Sequence, residues 1–165
     1  MAIDQTDFRK VLGHYPTGVC VITGRNEGGE PVGMAVGSFT SVSLSPPLVA
    51  FFPDRSSSTW PHIHSSGKFC VNILASNQKA VCERFARKGE KKFDGFSHGV
   101  SDFDLPVLDG SVAWIDCLLE AVHEVGDHFF AIGRVQKLTL GAEDGDPLLF
   151  FKGGYSVLDC GGAAA

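Results

Sequence analysis

The sequence predicts one mainly β domain over residues 1–165, in which a closed or split antiparallel barrel carries a few peripheral helices. The chain contains 20 glycines and 8 prolines, which favours many turns between short strands over a helical bundle. Seven or eight short segments rich in β-branched residues follow one another without regular alternation with long helices, which argues against a doubly wound parallel sheet. With 44% hydrophobic and 20% charged residues, the composition is that of a globular domain, and its core is expected over residues 8–158.

The first half of the chain predicts two short helices and four strands. Thr6 or Asp7 can cap the first helix, and Phe8, Val11 and Leu12 share one of its faces. Consecutive prolines stop the third strand, and Pro61 suits the first turn of the second helix. In chain order, the elements are a helix over residues 6–12, strands over 19–23, 32–36, 39–44 and 48–52, and a short helix that begins near residue 61.

The second half predicts a strand, a helix and three further strands. A strand over residues 68–74 precedes a helix that Ser76 can cap and that presents Val81, Cys82 and Phe85 inward. Residues 86–109 lack a regular pattern, and a structureless loop of about twenty residues is often functional. The remaining strands are expected over residues 112–122, 129–140 and 148–151, and the tail over residues 160–165 is expected to be disordered.

Charge and the N-terminal sequence exclude several classes of protein. The formal net charge is −5 and no basic stripe is visible, so a nucleic-acid partner is not expected. The N-terminus carries early acids in place of an apolar run, and no stretch approaches the roughly 18 apolar residues of a membrane span. A cytoplasmic protein without a membrane partner is therefore predicted.

The cysteines and histidines predict no metal site. The five cysteines are odd in number, contain no C-x-x-C pair and mostly have apolar neighbours, which is typical of buried, reduced thiols. His62 and His64 form an H-x-H pair, but no second spaced pair of ligands accompanies it, so surface histidines are expected. A G-x-G-x-x-G motif after a strand is also missing, which argues against a Rossmann dinucleotide site.

Small and hydroxyl side chains crowd residues 33–43. Gly37 would let a ligand approach the backbone, and free N–H groups beside serine hydroxyls suit the polar edge of a planar heterocycle. A Ser/Thr-rich strand at the edge of a barrel explains the same residues equally well, so the segment alone does not decide between the two.

Two further segments could bind charged groups. Residues 54–60 place an arginine and several hydroxyls at a helix start, where they could hold a phosphate or simply cap the helix. Lys91 and Lys92 could add charge there or form a solvated face. Asp127 could orient the ring of His128, which with Tyr155 could line the mouth of a pocket, although a capped turn explains the pair as well.

Taken together, ordered motifs resemble the flavin reductase-like family of FMN-binding split barrels over nearly the whole chain. Each motif is weak alone, whereas six of them in the family's order are specific. They are YPTGV at residues 15–19 with the strand after it, GM at 33–34 with SFTSVS at 38–43 and PPLV at 46–49, FCVNIL at 69–74, FA at 85–86 leading to KF at 92–93, GDH at 126–128 with IGRV at 132–135, and PLLF at 147–150 with GY at 154–155.

The resemblance implies a six-stranded antiparallel Greek-key split barrel and a homodimer with the flavin, FMN or FAD, at the subunit interface. It assigns the isoalloxazine to residues 36–43, the phosphate to the hydroxyl loop and nearby cations, and the entry of the nicotinamide to a histidine and a tyrosine. Gly37 departs from relatives that carry serine there. The implied cofactor-binding residues are Val36, Gly37, Ser38, Phe39, Ser41, Ser43, Ser57, Thr59, Asn72, Leu74, Arg84, Lys92, Phe93, His128 and Tyr155.

The implied reaction is hydride transfer from NADH or NADPH to the flavin, after which reduced flavin serves a partner monooxygenase. His128 is the candidate catalytic residue, with a positioning role rather than that of an obligate base. Three alternatives are compatible with the same residues. They are a non-catalytic flavin-binding or electron-relay protein, a pyridoxamine-phosphate oxidase-like enzyme or corrin reductase on a similar barrel, and an interaction module without chemistry.

Overall fold

The computed structural model describes residues 3–89, 91–141 and 145–158, and within them it contains three helices and twelve strands. Cys160 and the tail predicted to be disordered lie outside these ranges. The elements are α1 (Gln5–Leu12), β1 (Thr17–Gly18), β2 (Cys20–Arg25), β3 (Pro31–Val36), β4 (Thr40–Leu44), β5 (Pro47–Phe51), α2 (Trp60–Ser66), β6 (Lys68–Ile73), α3 (Lys79–Ala86), β7 (His98–Val100), β8 (Pro106–Leu108), β9 (Ala113–Val125), β10 (His128–Leu140), β11 (Leu148–Phe151) and β12 (Gly154–Val157).

The largest sheet among the described residues has seven strands in the order β3-β2-β6-β9-β10-β5-β4, and every neighbouring pair is antiparallel. The prediction of a mainly β, antiparallel fold is confirmed. The count of six strands that the resemblance implies is wrong, since the sheet has seven strands and β4 forms one of its edges. The two edge strands are joined by residues 37–39 alone, a link that spans at most about 15 Å. The sheet must therefore curve until its edges approach each other.

The curved sheet wraps around one apolar core. Met34 of β3 and Phe51 of β5 lie near opposite edges of the sheet, yet both belong to the cluster that Phe69 and the buried face of α2 complete. Burying these side chains on the concave face is the main favourable contribution to the fold. The same curvature brings the end of β3 near the end of β5, where the candidate site lies.

Two small sheets contain strands that the sequence did not predict. Residues 98–108 form the hairpin β7–β8 where a structureless loop was expected, because Ser101 and Leu105 close a turn through a backbone hydrogen bond of 2.8 Å. The β7 strand is exposed and only three residues long, so it carries no readable alternation. The chain also continues beyond β11, the strand expected to be the last, into β12, because Lys152 and Gly153 adopt positive φ angles that suit a tight turn.

The helix caps also differ from the prediction. Asp4, rather than Thr6 or Asp7, caps α1, since its carboxylate accepts hydrogen bonds from the N–H groups of those two residues at 2.7 and 3.2 Å. The predicted Ser76 cap is wrong, because α3 begins at Lys79 after Gln78. The inward face predicted for α3 is confirmed, as Val81, Cys82 and Phe85 are buried.

The four cysteines in the described residues are free and buried, as the sequence predicts. Burial raises the pKa of Cys20 and of Cys117 to about 12. These thiols therefore act as small apolar side chains of the core. No helix within residues 3–89, 91–141 and 145–158 is long and apolar enough to span a membrane.

Candidate functional site

An open groove lies where the end of β3 meets the loop that follows β5. Its volume is about 510 Å³, within the range of small-molecule sites. Four chain segments and two single side chains form its walls. They are residues 34–38, 52–54, 56–59 and 85–88, together with Lys92 and His128.

The wall formed by residues 36–38 offers a ligand mostly backbone. The hydroxyl of Ser38 accepts a hydrogen bond of 3.0 Å from the N–H of Phe52, which ties this wall to the end of β5. Gly37 is exposed, and a Cβ added to it would lie 3.1 Å from Oγ1 of Thr17 behind the wall. This contact is tight, so any side chain at position 37 would require Thr17 to shift.

The hydroxyl-rich loop before α2 is held in a defined shape by its own hydrogen bonds. Asp54 accepts a hydrogen bond of 2.6 Å from the N–H of Ser56 through its carboxylate and one of 3.0 Å from the N–H of Ser57 through its carbonyl. The hydroxyl of Ser57 in turn accepts from the N–H groups of Thr59 and Trp60 at 3.3 and 3.2 Å. The hydrogen bonds to Ser56 lower the pKa of Asp54, as do the nearby charges of His128 and Lys88.

Two lysines bring positive charge to this loop. Nζ of Lys88 lies 3.4 Å from the hydroxyl of Ser56. Nζ of Lys92 donates to the carbonyls of Gly33 and Phe85 at 3.1 and 3.2 Å and lies 3.5 Å from Oγ1 of Thr59. Burial lowers the pKa of Lys92, because desolvation disfavours a charged ammonium group.

Arg55 does not take the role that the sequence suggested for it. Its guanidinium pairs with Glu124 at 3.1 Å and lies over the ring of Phe129. The arginine thereby fastens the hydroxyl loop to the β9–β10 hairpin. The cations that face the groove come from the segment after α3, which is distant in sequence.

His128 lines the groove from the start of β10, next to Asp54 at the beginning of the hydroxyl loop. Its Nδ1 lies 2.7 Å from Oδ1 of Asp127, whose pKa the histidine lowers. Backbone pairing of His128 with Asp54 and a hydrogen bond of 2.9 Å from the N–H of Phe129 to the carbonyl of Pro53 hold the ring against the groove. Since Nδ1 is engaged by a carboxylate, Nε2 is the ring nitrogen available to a ligand.

Residues 12–159 match the family model described as the flavin reductase like domain. The chain belongs to the flavin reductase-like family. It is 57% identical over 154 residues to a flavin reductase of Pseudomonas putida, covering 93% of this chain and 90% of the relative. It is 47% identical over 158 residues to the reductase subunit of a flavin-dependent monooxygenase of Rhodococcus jostii, covering 96% and 80%. The solved structure of an NADH:FAD oxidoreductase of Streptomyces globisporus superposes with a TM-score of 0.87 at 30% identity, covering 96% and 97%.

About half of the residues that the resemblance assigned to the flavin line the groove of this family member. They come from four regions that are distant in sequence, and the curvature of the sheet brings them together. They are Val36, Gly37, Ser38, Ser57, Thr59, Lys92 and His128.

Several assigned residues lie in the core instead. Asn72 and Leu74 are fully buried, and the amide of Asn72 bonds the backbone of β2 and β8. Both were expected in the groove wall, but other parts of the chain cover them: β8 contacts Asn72, and Leu74 packs with the buried residues of α3. Phe39 packs against the main core cluster, and Phe93 lines a neighbouring cavity beside the groove.

The remaining assigned residues lie outside the groove of a single chain. Ser41 and Ser43 belong to the edge strand β4, where Ser41 is exposed. Arg84 lies over the ring of Phe96. The hydroxyl of Tyr155 donates to Sγ of Cys82 at 3.3 Å, and the ring packs against the apolar cluster that contains the buried residues of α3. Within this chain, the structure does not bring these residues to the groove.

Phe52 and Lys88 line the groove although the sequence did not indicate them, and Asp54, Ser56 and Ser58 line it although only Ser57 and Thr59 of residues 54–60 were assigned to the flavin. The clustered hydroxyls of residues 54–60 were a readable signal for part of this set. For Lys88 the sequence offered only a charged stretch, since nothing local shows which of several neighbouring cations turns inward. No cluster of three or more His, Cys, Asp or Glu residues that could hold a metal occurs in the described parts of the chain.

Proposed function

We propose that this chain is an NAD(P)H-dependent flavin reductase that reduces FMN or FAD and supplies the reduced flavin to a partner monooxygenase. The observation that carries the proposal is the composition of the groove: a backbone wall at residues 36–38, a hydroxyl loop with two lysines, and His128. The first feature suits the planar ring of a flavin, the second its phosphate, and the third the nicotinamide that reduces it. Kinship with flavin reductases and with a monooxygenase reductase subunit supports the same activity.

The residues of this chain bind and orient the reactants. A bound flavin supplies the redox chemistry, as the acceptor of a hydride from the nicotinamide. The backbone of residues 36–38 holds the ring, while Ser57, Thr59 and Lys92 hold the phosphate end. His128 orients the nicotinamide so that the two rings lie at reacting distance, a contribution of proximity that requires no proton donor.

We further propose a homodimer of split barrels, since a single chain leaves large apolar side chains uncovered. Phe8, Val11 and Leu12 form an exposed face of α1, and Leu44 on the edge strand β4 is 95% exposed. Apolar surface of this kind is typical of interaction surfaces. In such a dimer, Ser41, Ser43 and Tyr155 would be candidates for contacts to the flavin across the interface. The cytoplasmic location stays a prediction.

Flavin binding and nicotinamide oxidation test the activity directly. FMN and FAD are titrated into the purified protein, and binding is followed by quenching of flavin fluorescence. NADH or NADPH is then added with each flavin, and loss of the nicotinamide absorbance band is recorded. Oxidation that depends on both protein and flavin is expected. Binding without oxidation would indicate a non-catalytic flavin carrier, and absence of both would contradict the proposal.

Replacing His128 by Ala should raise KM for NADH or lower kcat modestly, by about tenfold or less, because the ring positions the nicotinamide and transfers no essential proton. Steady-state kinetics at saturating flavin measure the effect, and the Kd of FMN serves as the control and should not change. Complete loss of turnover with intact folding and FMN binding would contradict the positioning role.

Replacing Lys92 by Met should weaken FMN binding about 10–100-fold, the usual contribution of a charge-assisted hydrogen bond. Riboflavin lacks the phosphate, so its affinity should stay the same. Lys91→Met is the matched control, because Lys91 is exposed and does not line the groove. Equal losses for FMN and riboflavin would show that Lys92 supports the fold rather than the phosphate.

The lowered pKa of Lys92 also determines how the affinity for FMN should change with pH. The ammonium group is charged below its pKa and loses its charge as pH rises through that value. The ratio of FMN to riboflavin affinity should therefore fall on the alkaline side, before an ordinary lysine would titrate, and Lys92→Met should lack this decline.

A further inference from the structure

Lys92 is a partly buried lysine whose amine contacts only neutral oxygens among the described residues. Its Nζ lies within hydrogen-bond distance of the carbonyls of Gly33 and Phe85 and of the hydroxyl of Thr59. Lys92 lines the groove and also a second cavity, of about 710 Å³, beside it. The amine is therefore held by the protein and borders space that a small molecule can enter.

The hydrogen bonds of Lys92 determine where its lone pair lies once the amine is neutral. A neutral amine has two N–H donors and one lone pair, and the carbonyls of Gly33 and Phe85, at 3.1 and 3.2 Å, can accept from both donors. The hydroxyl of Thr59 donates to the carbonyl of Gly33 at 3.3 Å and so does not occupy the lone pair. Burial lowers the pKa of Lys92 and so favours this neutral form. A desolvated lysine with a free lone pair is a nucleophile.

The groups around Lys92 favour an electrophile that carries a phosphate. The hydroxyl loop and the ammonium group of Lys88, which lies 3.4 Å from the hydroxyl of Ser56, are groups that hold a phosphate. The hydroxyl of Thr59 in that loop lies 3.5 Å from Nζ of Lys92. A phosphate bound there would bring an attached acyl group within reach of the amine.

We propose that Lys92 is a site of acylation by small acyl phosphates, and that this modification weakens the binding of phosphorylated flavin. The second part rests on the proposed function. In the reaction, Nζ attacks the acyl carbon, a C–N bond forms and the C–O bond to the phosphate breaks. Inorganic phosphate leaves with the electron pair of that bond and takes up the proton that the amine loses. The amide product is neutral, so the positive charge that Lys92 offers to a flavin phosphate disappears.

Acetyl phosphate is the probe for this reaction. The flavin-free protein is incubated with it, and the acetylated fraction of each lysine is followed over time by mass spectrometry. Lys92 should react at least tenfold faster than two exposed control lysines, Lys91 beside it in sequence and Lys10 on α1. Acetic anhydride carries no phosphate, so with this reagent the preference for Lys92 should shrink. Lys88→Met should slow the reaction of Lys92 with acetyl phosphate but not with acetic anhydride.

Binding measurements test the consequence for the flavin. FMN should protect Lys92 from acetyl phosphate more strongly than riboflavin does, because only FMN has a phosphate to occupy the hydroxyl loop. Treatment with acetyl phosphate should raise the Kd of FMN at least tenfold. In Lys92→Arg, which keeps the charge but offers no nucleophilic amine, the same treatment should change the Kd of FMN by less than twofold. Circular dichroism verifies that the variants are folded.

Two results would overturn the inference. One is acetylation of Lys92 at the rate of Lys91 and Lys10, and the other is an equal preference for Lys92 with acetic anhydride and with acetyl phosphate. Failure of the untreated protein to bind FMN would instead count against the proposed function. The acetylation rates are measured without flavin, so they would still test the modification site in that case.

Discussion

Replacing Gly133 by Val should lower the free energy of unfolding by about 3 kcal/mol, the upper part of the range for overpacked cores. A Cβ at position 133 of β10 would overlap Cζ of Phe69 and lie 3.0 Å from its Cε1 and 3.2 Å from Cβ of Cys117. The ring of Phe69 is fully buried and packs edge-on against Phe51 at 5.2 Å, so it has no room to move aside. Urea unfolding monitored by circular dichroism measures the change.

Gly99→Val is the matched control for this substitution. Gly99 also lies in a strand, and a Cβ added to it would have no neighbour within 4 Å, so its effect on stability should be small. Combining Gly133→Val with Phe69→Leu should recover part of the loss, since the shorter side chain vacates the contested space. A loss below about 1 kcal/mol for Gly133→Val alone would show that the core adjusts more easily than its packing indicates.

Replacing Asn72 by Ala should lower the free energy of unfolding by about 3 kcal/mol, because it leaves several buried polar groups without a partner. The Asn72 amide donates to the carbonyl of Val21 at 3.1 Å and to Oγ1 of Thr23 at 3.0 Å. Its oxygen accepts from the N–H of Leu108 at 2.9 Å, which joins the β7–β8 hairpin to the main sheet. Urea unfolding measures the loss, and the Kd of FMN is measured on the folded variant.

This substitution separates the two roles that Asn72 could have. The resemblance assigned Asn72 to the wall of the flavin groove, but its side chain is fully buried and does not line that groove. The Kd of FMN should therefore stay within twofold despite the loss of stability. Asn77→Ala, at an exposed position, is the control and should change neither quantity appreciably. A large loss of FMN affinity with little loss of stability would show that Asn72 contributes to flavin binding.

Local patterns in the sequence predicted the strands and the family well. β-Branched residues between Gly and Pro turns located most strands of the main sheet, because strand formation and turn chemistry depend on neighbouring residues. The ordered motifs led to the flavin reductase-like family, which the family model confirms. The clustered hydroxyls of residues 54–60 indicated one wall of the groove for the same local reason.

The burial and orientation of side chains that depend on distant parts of the chain could not be predicted from the sequence. Asn72 and Leu74 of the FCVNIL segment lie on the side of the strand opposite Phe69 and Val71 of the main core, and only the packing of the β7–β8 hairpin and α3 shows that this side is covered as well. Arg55 and Lys88 are both cations near serines in sequence or space, but pairing with Glu124 turns Arg55 away while Lys88 approaches Ser56.

The sequence by itself thus determined the class of fold, the family and the hydroxyl loop, since each follows from residues that are close along the chain. The tertiary structure decided which cations and which histidine nitrogen face the groove, and it revealed the second cavity beside it. The physical reason is that curvature of the seven-stranded sheet brings together side chains separated by up to about a hundred residues, and burial then selects which of their polar groups stay available to a ligand.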